Sequence, residues 1–169
     1  QKADRKYINI VISISYSAGV SAESIIKNSF RIVTLIDWFE SQGFRCKVQI
    51  GSSCEYVGTD RKELDRYFHL ITIKEYEEPV NMINMVNLLS PWFLRLFMHS
   101  MMYLLKARVS WGLGRPTPQC NYESIFPEVK DTENILHIPS QIITNKGIFS
   151  LFSDFMKNLE LGDVRDYEN

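Results

Sequence analysis

The sequence predicts an α/β fold whose sheet is mostly parallel with one antiparallel strand. Three observations carry that expectation. Near-continuous β-branched residues open the chain, in YINIVISIS over residues 7–15. A full amphipathic helix follows at once. The apolar period then switches from helical spacing to strict alternation just after Gly43. The order of elements reads strand, helix, strand, strand, helices, strand, helix, for which a sheet covered by helices is the natural solution.

Each element has its own reason. In the first strand Ile8, Ile10, Ile12 and Ile14 alternate, and Val11 adds an apolar residue to the other face. Such a run predicts a central strand covered on both sides. Gly19 permits a turn, and Ser21 is the expected N-cap, with Glu23 in the first turn. Helix one is expected from about Ala22 to Gln42. Its apolar residues Ile25, Ile26, Phe30, Val33, Ile36 and Phe39 recur at helical spacing, and Gly43 stands where a C-terminal cap belongs.

FRCKVQI alternates Phe44, Cys46, Val48 and Ile50 with Arg45, Lys47 and Gln49. It reads as a half-exposed strand near a sheet edge. FHLITIK, residues 68–74, reads as the third strand. The link between the two holds few apolar residues, so an antiparallel hairpin is expected, with the charge run TDRKELDR as a solvated loop or short helix. Pro79 is placed to open a helix with the stripe Met82, Ile83, Met85, Val86 and Leu89, broken near Ser90 by Pro91. A second helix carries Trp92, Phe93, Leu96, Phe97, Met101, Tyr103, Leu104 and Leu105, and is expected against the sheet. WGLGRPTPQ is a loop. NILHI, residues 134–138, is a strand. A last helix from about Ile148 to Leu159 should pack Phe149, Phe152, Phe155 and Met156 on one face.

Residues 1–161 are expected to form a single domain, with a polar tail over 162–169. The chain opens on Gln1 rather than Met, as expected of a trimmed or tagged protein or a piece of a longer one. Lys plus Arg number 19 and Asp plus Glu 20, so bulk charge gives no reason to expect a nucleic-acid partner. No apolar run reaches the ~18 residues of a membrane span, and VNLLSPWFLRLFMHSMMYLL is interrupted by Arg95, His99, Asn87 and Pro91. Cys46, Cys54 and Cys120 form neither a disulfide framework nor a zinc spacing.

Function is sought first in VISISYSAGVSAES, residues 11–24, where Ser13, Ser15 and Ser17 end the first strand. Ligands in open α/β sheets bind beyond the carboxyl ends of the strands. The plain alternative is a strand-to-helix turn in which the hydroxyls satisfy backbone groups. His69, His99 and His137 lack Cys or Asp partners at ligand spacing and read as hydrogen-bonded residues of the core or strand faces. A triad of Ser13 or Ser15 with His137 lacks a G-x-S-x-G elbow. Glu75, Glu77 and Glu78 in KEYEEP are expected at the opposite end of the sheet from the serines. GLGRP lacks the spacing of a phosphate loop, although Arg115 offers an anion contact.

Strand one ending in S-x-S-x-S, then a helix and an antiparallel strand pair, resembles the von Willebrand factor A domain. The resemblance implies a Rossmann-like three-layer sandwich. It also implies a metal-ion-dependent adhesion site of pattern D-x-S-x-S, a loop threonine and a later aspartate, which together hold a divalent ion that binds a partner's carboxylate. Ser13 stands at the aspartate position, and Ser15 and Ser17 at the serine positions. Thr117, after WGLGRP, is the candidate loop threonine, and NILHI ends in Pro139 and Ser140 rather than an aspartate. The implied site is therefore degenerate. Three neutral hydroxyls do not replace the carboxylate that Mg²⁺ usually retains, so no cofactor is expected and Ser15 and Ser17 are only vestigial metal ligands. ITIKEYEEPVNMINMVNLLSPWFLRLFM is similar to a stretch of uncharacterised proteins encoded by bacterial phages and mobile elements. That similarity implies a cytoplasmic protein of a bacterial or phage-infected cell.

The expected function is a non-catalytic protein-binding or assembly module. Its binding residues are Ser13, Ser15, Ser17, Arg115 and Thr117, and backbone N–H groups of residues 17–23 should hold a partner's anionic group. The alternative is a metal-dependent hydrolase or nuclease using the same serine loop, and the missing carboxylates separate the two, since two-metal chemistry needs them.

Overall fold

The computed structural model describes residues 6–16, 19–57, 64–93, 96, 100, 104, 115–116, 126, 134–140 and 145–158. The strands are β1 (Tyr7–Ser13), β2 (Arg45–Val57), β3 (Leu64–Lys74), β4 (Arg115–Pro116) and β5 (Ile135–Ile138). The helices are α1 (Ala22–Ser41), α2 (Met82–Leu88) and α3 (Asn145–Asn158). The main path of the sheet is β3-β2-β1-β5, with β4 paired to β2 off that path. β1 runs parallel to both β2 and β5, and β2 and β3 are antiparallel. The result is a mixed sheet packed with helices, as the order of elements predicts, but two strands rather than one run antiparallel, β3 and β4, and β4 lies within WGLGRPTPQ, which reads as a loop. Among the described residues, no helix is long and apolar enough to cross a membrane.

β1 is central because neither face can be left in water. Ile8, Ile10, Ile12 and Ile14 are buried on one face, and Asn9, Val11 and Ser13 are buried on the other. The isoleucine face carries the main core. Ile32, Val33, Ile36 and Phe39 of α1, Met85 of α2, and Phe152 and Met156 of α3 all join it. The opposite face is more polar. Val11 there packs with Phe68, Leu70, Phe126 and Ile135. Beside them Asn9 Nδ2 donates to Gln49 Oε1 (2.9 Å), and Gln49 Nε2 donates to Thr72 Oγ1 (3.2 Å). These amides cross three adjacent strands and disfavour a one-residue slip, which would turn them into the isoleucine core.

β2 is the second strand from the edge, between β1 and the edge strand β3, with Arg45 and Lys47 half-buried on its polar face. Its alternating Arg45, Lys47 and Gln49 mark the polar face of an inner strand. β2 and β3 are also longer than their apolar cores suggest. Leu64, Asp65 and Arg66, in the second half of the charge run, belong to β3 and pair with Val57, Tyr56 and Glu55.

α1 begins where Ser21 Oγ accepts the Ser24 N–H (3.2 Å) and ends at Gly43, whose φ of 87° suits glycine. Ile25, Ser29, Ile32, Val33, Ile36 and Phe39 face the core, while Ile26 and Phe30 stand on the exposed shoulder of that stripe. Ser29 Oγ lies 2.9 Å from the Ile25 carbonyl and 3.0 Å from the Leu89 carbonyl, so its single proton ties the end of α2 to α1 when it turns outward. α2 starts at an Asn81 cap, two residues beyond Pro79, and the chain breaks at Leu89–Ser90 before Pro91, as expected. Helical backbone resumes at Pro91–Trp92. Trp92 is 74% exposed and Leu96 60%, so this stretch does not bury its large residues at those positions. In α3, Ile148, Phe152 and Met156 recur every fourth residue into the core, whereas Phe149 points away and is exposed. One step of about 100° separates Phe149 from the buried Ile148 stripe.

Candidate functional site at the carboxyl end of the sheet

Pairing register locates the serines. Ser13, the last residue of β1, sits opposite Gly51 of β2. The Ile14 N–H then donates to the Gly51 carbonyl (2.8 Å), and the Tyr16 N–H to the Ile14 carbonyl (2.9 Å). That tight turn holds the chain against the sheet after the ladder has ended. Ser13 and Ser15 are both buried. Burial pushes the Tyr16 phenol up to about 12, so it stays neutral. Ser17 lies outside the described residues, as does Thr117.

Two further serines reach this end from other strands. Ser52 follows Gly51 in β2, and Ser140 comes two residues after Ile138, which pairs with Ile12 of β1. Both are buried. Ser52 does not stand out in the sequence, because only the strand register brings it level with Ser13, whereas Ser140 stands where the resemblance expects an aspartate. His69 of β3 sits opposite Ser52. Its Nε2 is buried and makes no hydrogen bond, contrary to the expectation of a bonded face residue. Desolvation lowers its pKa from the ordinary imidazole value.

β4 completes the geometry. One edge of β2 is taken by β3 from Val48 to Val57, so β4, which pairs with Cys54 and Glu55, must lie on the β1 side. β1 runs parallel to β2 and β4 antiparallel to it. The carboxyl ends of β1 and β4 therefore face each other along one edge of β2. Ser13 lies level with Gly51 and Pro116 level with Cys54, a separation of about 10 Å at the rise of a strand. The Arg115 backbone thus lies on the line of β1, beyond the serines.

α1 begins at Ala22, seven residues after Ser15. Ser21 Oγ takes the Ser24 N–H and the Ser21 carbonyl takes the Ile25 N–H (3.2 Å). The N–H groups of Ala22 and Glu23 precede the first intrahelical bond and are the donors that the positive end of the helix offers. Glu23 already carries a negative charge there, paired with Lys27 at 2.7 Å, and that pair holds its carboxyl below the ordinary value.

The donor set does not suit a divalent ion. Ser13 and Ser15 supply neutral hydroxyls, whereas magnesium usually keeps a carboxylate. Among the described residues, no group of three His, Cys, Asp or Glu side chains could hold a metal ion. The carboxylates of KEYEEP lie at the other end of the sheet: Tyr76 packs edge-on against Tyr7 at the start of β1 (5.2 Å), and Glu75 pairs with Lys47 (3.3 Å).

The fold and this site define a small α/β domain with a serine-lined carboxyl end. Residues 1–153 match the family described as Domain of unknown function (DUF7192), and the chain belongs to that family. No curated protein and no solved structure matches the chain.

Proposed function

We propose that this domain is a non-catalytic protein-binding or assembly module, a three-layer von Willebrand factor A-like domain with a degenerate metal site. It takes an acidic group of a protein partner at the carboxyl end of β1. The observation that supports this most is the head-on approach of β1 and β4 along β2. It brings the carboxyl ends of β1 and β4, at Ser13 and Pro116, to within about 10 Å of each other along β2. In such sheets the crevice beyond the strand ends is the usual ligand seat. The hydroxyl donors carry no charge, so the attraction for an acidic group comes from the N–H groups of Ala22 and Glu23 at the start of α1, with Arg115 the basic residue in β4. This reading needs no ion, and its setting is the cytoplasm of a bacterial or phage-infected cell.

The test is Ser17→Asp, with Glu78→Gln at the opposite end as control. A partner co-purified with the parent chain and identified by mass spectrometry should be lost from Ser17→Asp and kept by Glu78→Gln. Chemical denaturation should show both variants folded. Retention of that partner by a folded Ser17→Asp variant moves the binding surface elsewhere.

A further inference from the structure

We draw no further inference here: the strongest candidate, the exposed apolar side chains Ile83, Trp92, Leu96 and Leu104 in and beyond α2, carries none because nothing in the structure shows what covers them.

Discussion

At the amino end of the sheet a buried ammonium meets three oxygens, while at the carboxyl end a buried imidazole nitrogen meets none. Lys74 is only 3% exposed. Its Nζ lies 2.5 Å from Glu40 Oε1, 2.7 Å from the Cys46 carbonyl and 3.1 Å from the Glu75 carbonyl. One side chain thus joins the last turn of α1 to β2 and β3. Next to it Phe39 packs edge-on against Phe44 (5.7 Å) and Phe152 (5.2 Å), which brings α3 to the same corner. Burial is the main reason the Cys46 thiol rises to about 12, with the Glu40 charge adding to it, so this thiol is inert. At the other end, Ser13, Ser15, Ser52 and Ser140 place hydroxyls where the core runs out, and His69 Nε2 goes without a bond. A saturated end holds the fold together. At the carboxyl end a buried imidazole nitrogen is left without a partner, and the proposed binding site beyond β1 lies at that less fully satisfied end.

The largest effect should come from breaking the saturated end. Lys74→Met leaves the Glu40 carboxylate, itself mostly buried, without its cation. Removing one partner of a buried pair typically costs about 3–5 kcal/mol. Urea denaturation should show a loss of that order, and adding Glu40→Leu should recover part of it. A loss under about 1 kcal/mol for Lys74→Met would remove the amino end as the anchor of the fold.

Ile10→Ala comes next. Ile10 is fully buried between α1 and the middle of the sheet. Truncating such a residue costs about 2–5 kcal/mol through lost transfer energy and the cavity left behind. A change well under 1 kcal/mol would be incompatible with a central β1.

These two positions also show what the sequence makes legible. Ile10 declares itself, because an unbroken β-branched run can only be covered on both faces. The same local logic places α1, its Ser21 cap and Gly43, and it pairs β2 with β3 correctly. Lys74 does not declare itself. A lysine closing a strand reads as solvated, and only the fold brings Glu40 to it. β2 is partly legible: its alternation reports a polar face near the edge, but not that Gln49 on that face is buried. Phe149 misleads because apolar character alone does not say which side of a helix is covered. At the candidate site, the strand-end pattern is enough to single out Ser13 and Ser15. Ser52 and His69 are not legible there, since their level with the end of β1 is a property of pairing register across residues far apart in sequence, and Ser140 is legible only through the resemblance.

A smaller effect is expected at the serine end. Ser13→Ala removes a hydroxyl without opening a sizeable cavity, and the net worth of a typical hydrogen bond is about 1 kcal/mol. Its denaturation midpoint should therefore stay close to the parent's, well short of the shift from Lys74→Met. A loss rivalling Lys74→Met would mean that this end, too, is a structural anchor, and the contrast would collapse.

The smallest effect is the pH response of His69. Desolvation disfavours its charged form in the folded protein and lowers its pKa from the ordinary imidazole value. In the unfolded chain the imidazole titrates near its ordinary value, about 6.5. As pH falls through that range, the unfolded state takes up a proton that the folded state resists. Stability must then decline with acid, because it rises with pH wherever the unfolded state binds more protons. The penalty is absent well above the ordinary value and stops growing once the pH is below the folded-state pKa. His69→Gln keeps a polar side chain opposite Ser52 and removes the titration. Urea midpoints for parent and variant should therefore diverge between pH 8 and pH 5.5, with the variant losing less. Carboxylates and the other histidines titrate in both proteins, so the difference between the two curves isolates His69. Parallel curves would mean that this imidazole is solvated equally in both states, and that the carboxyl end is wetter than its buried Nε2 implies.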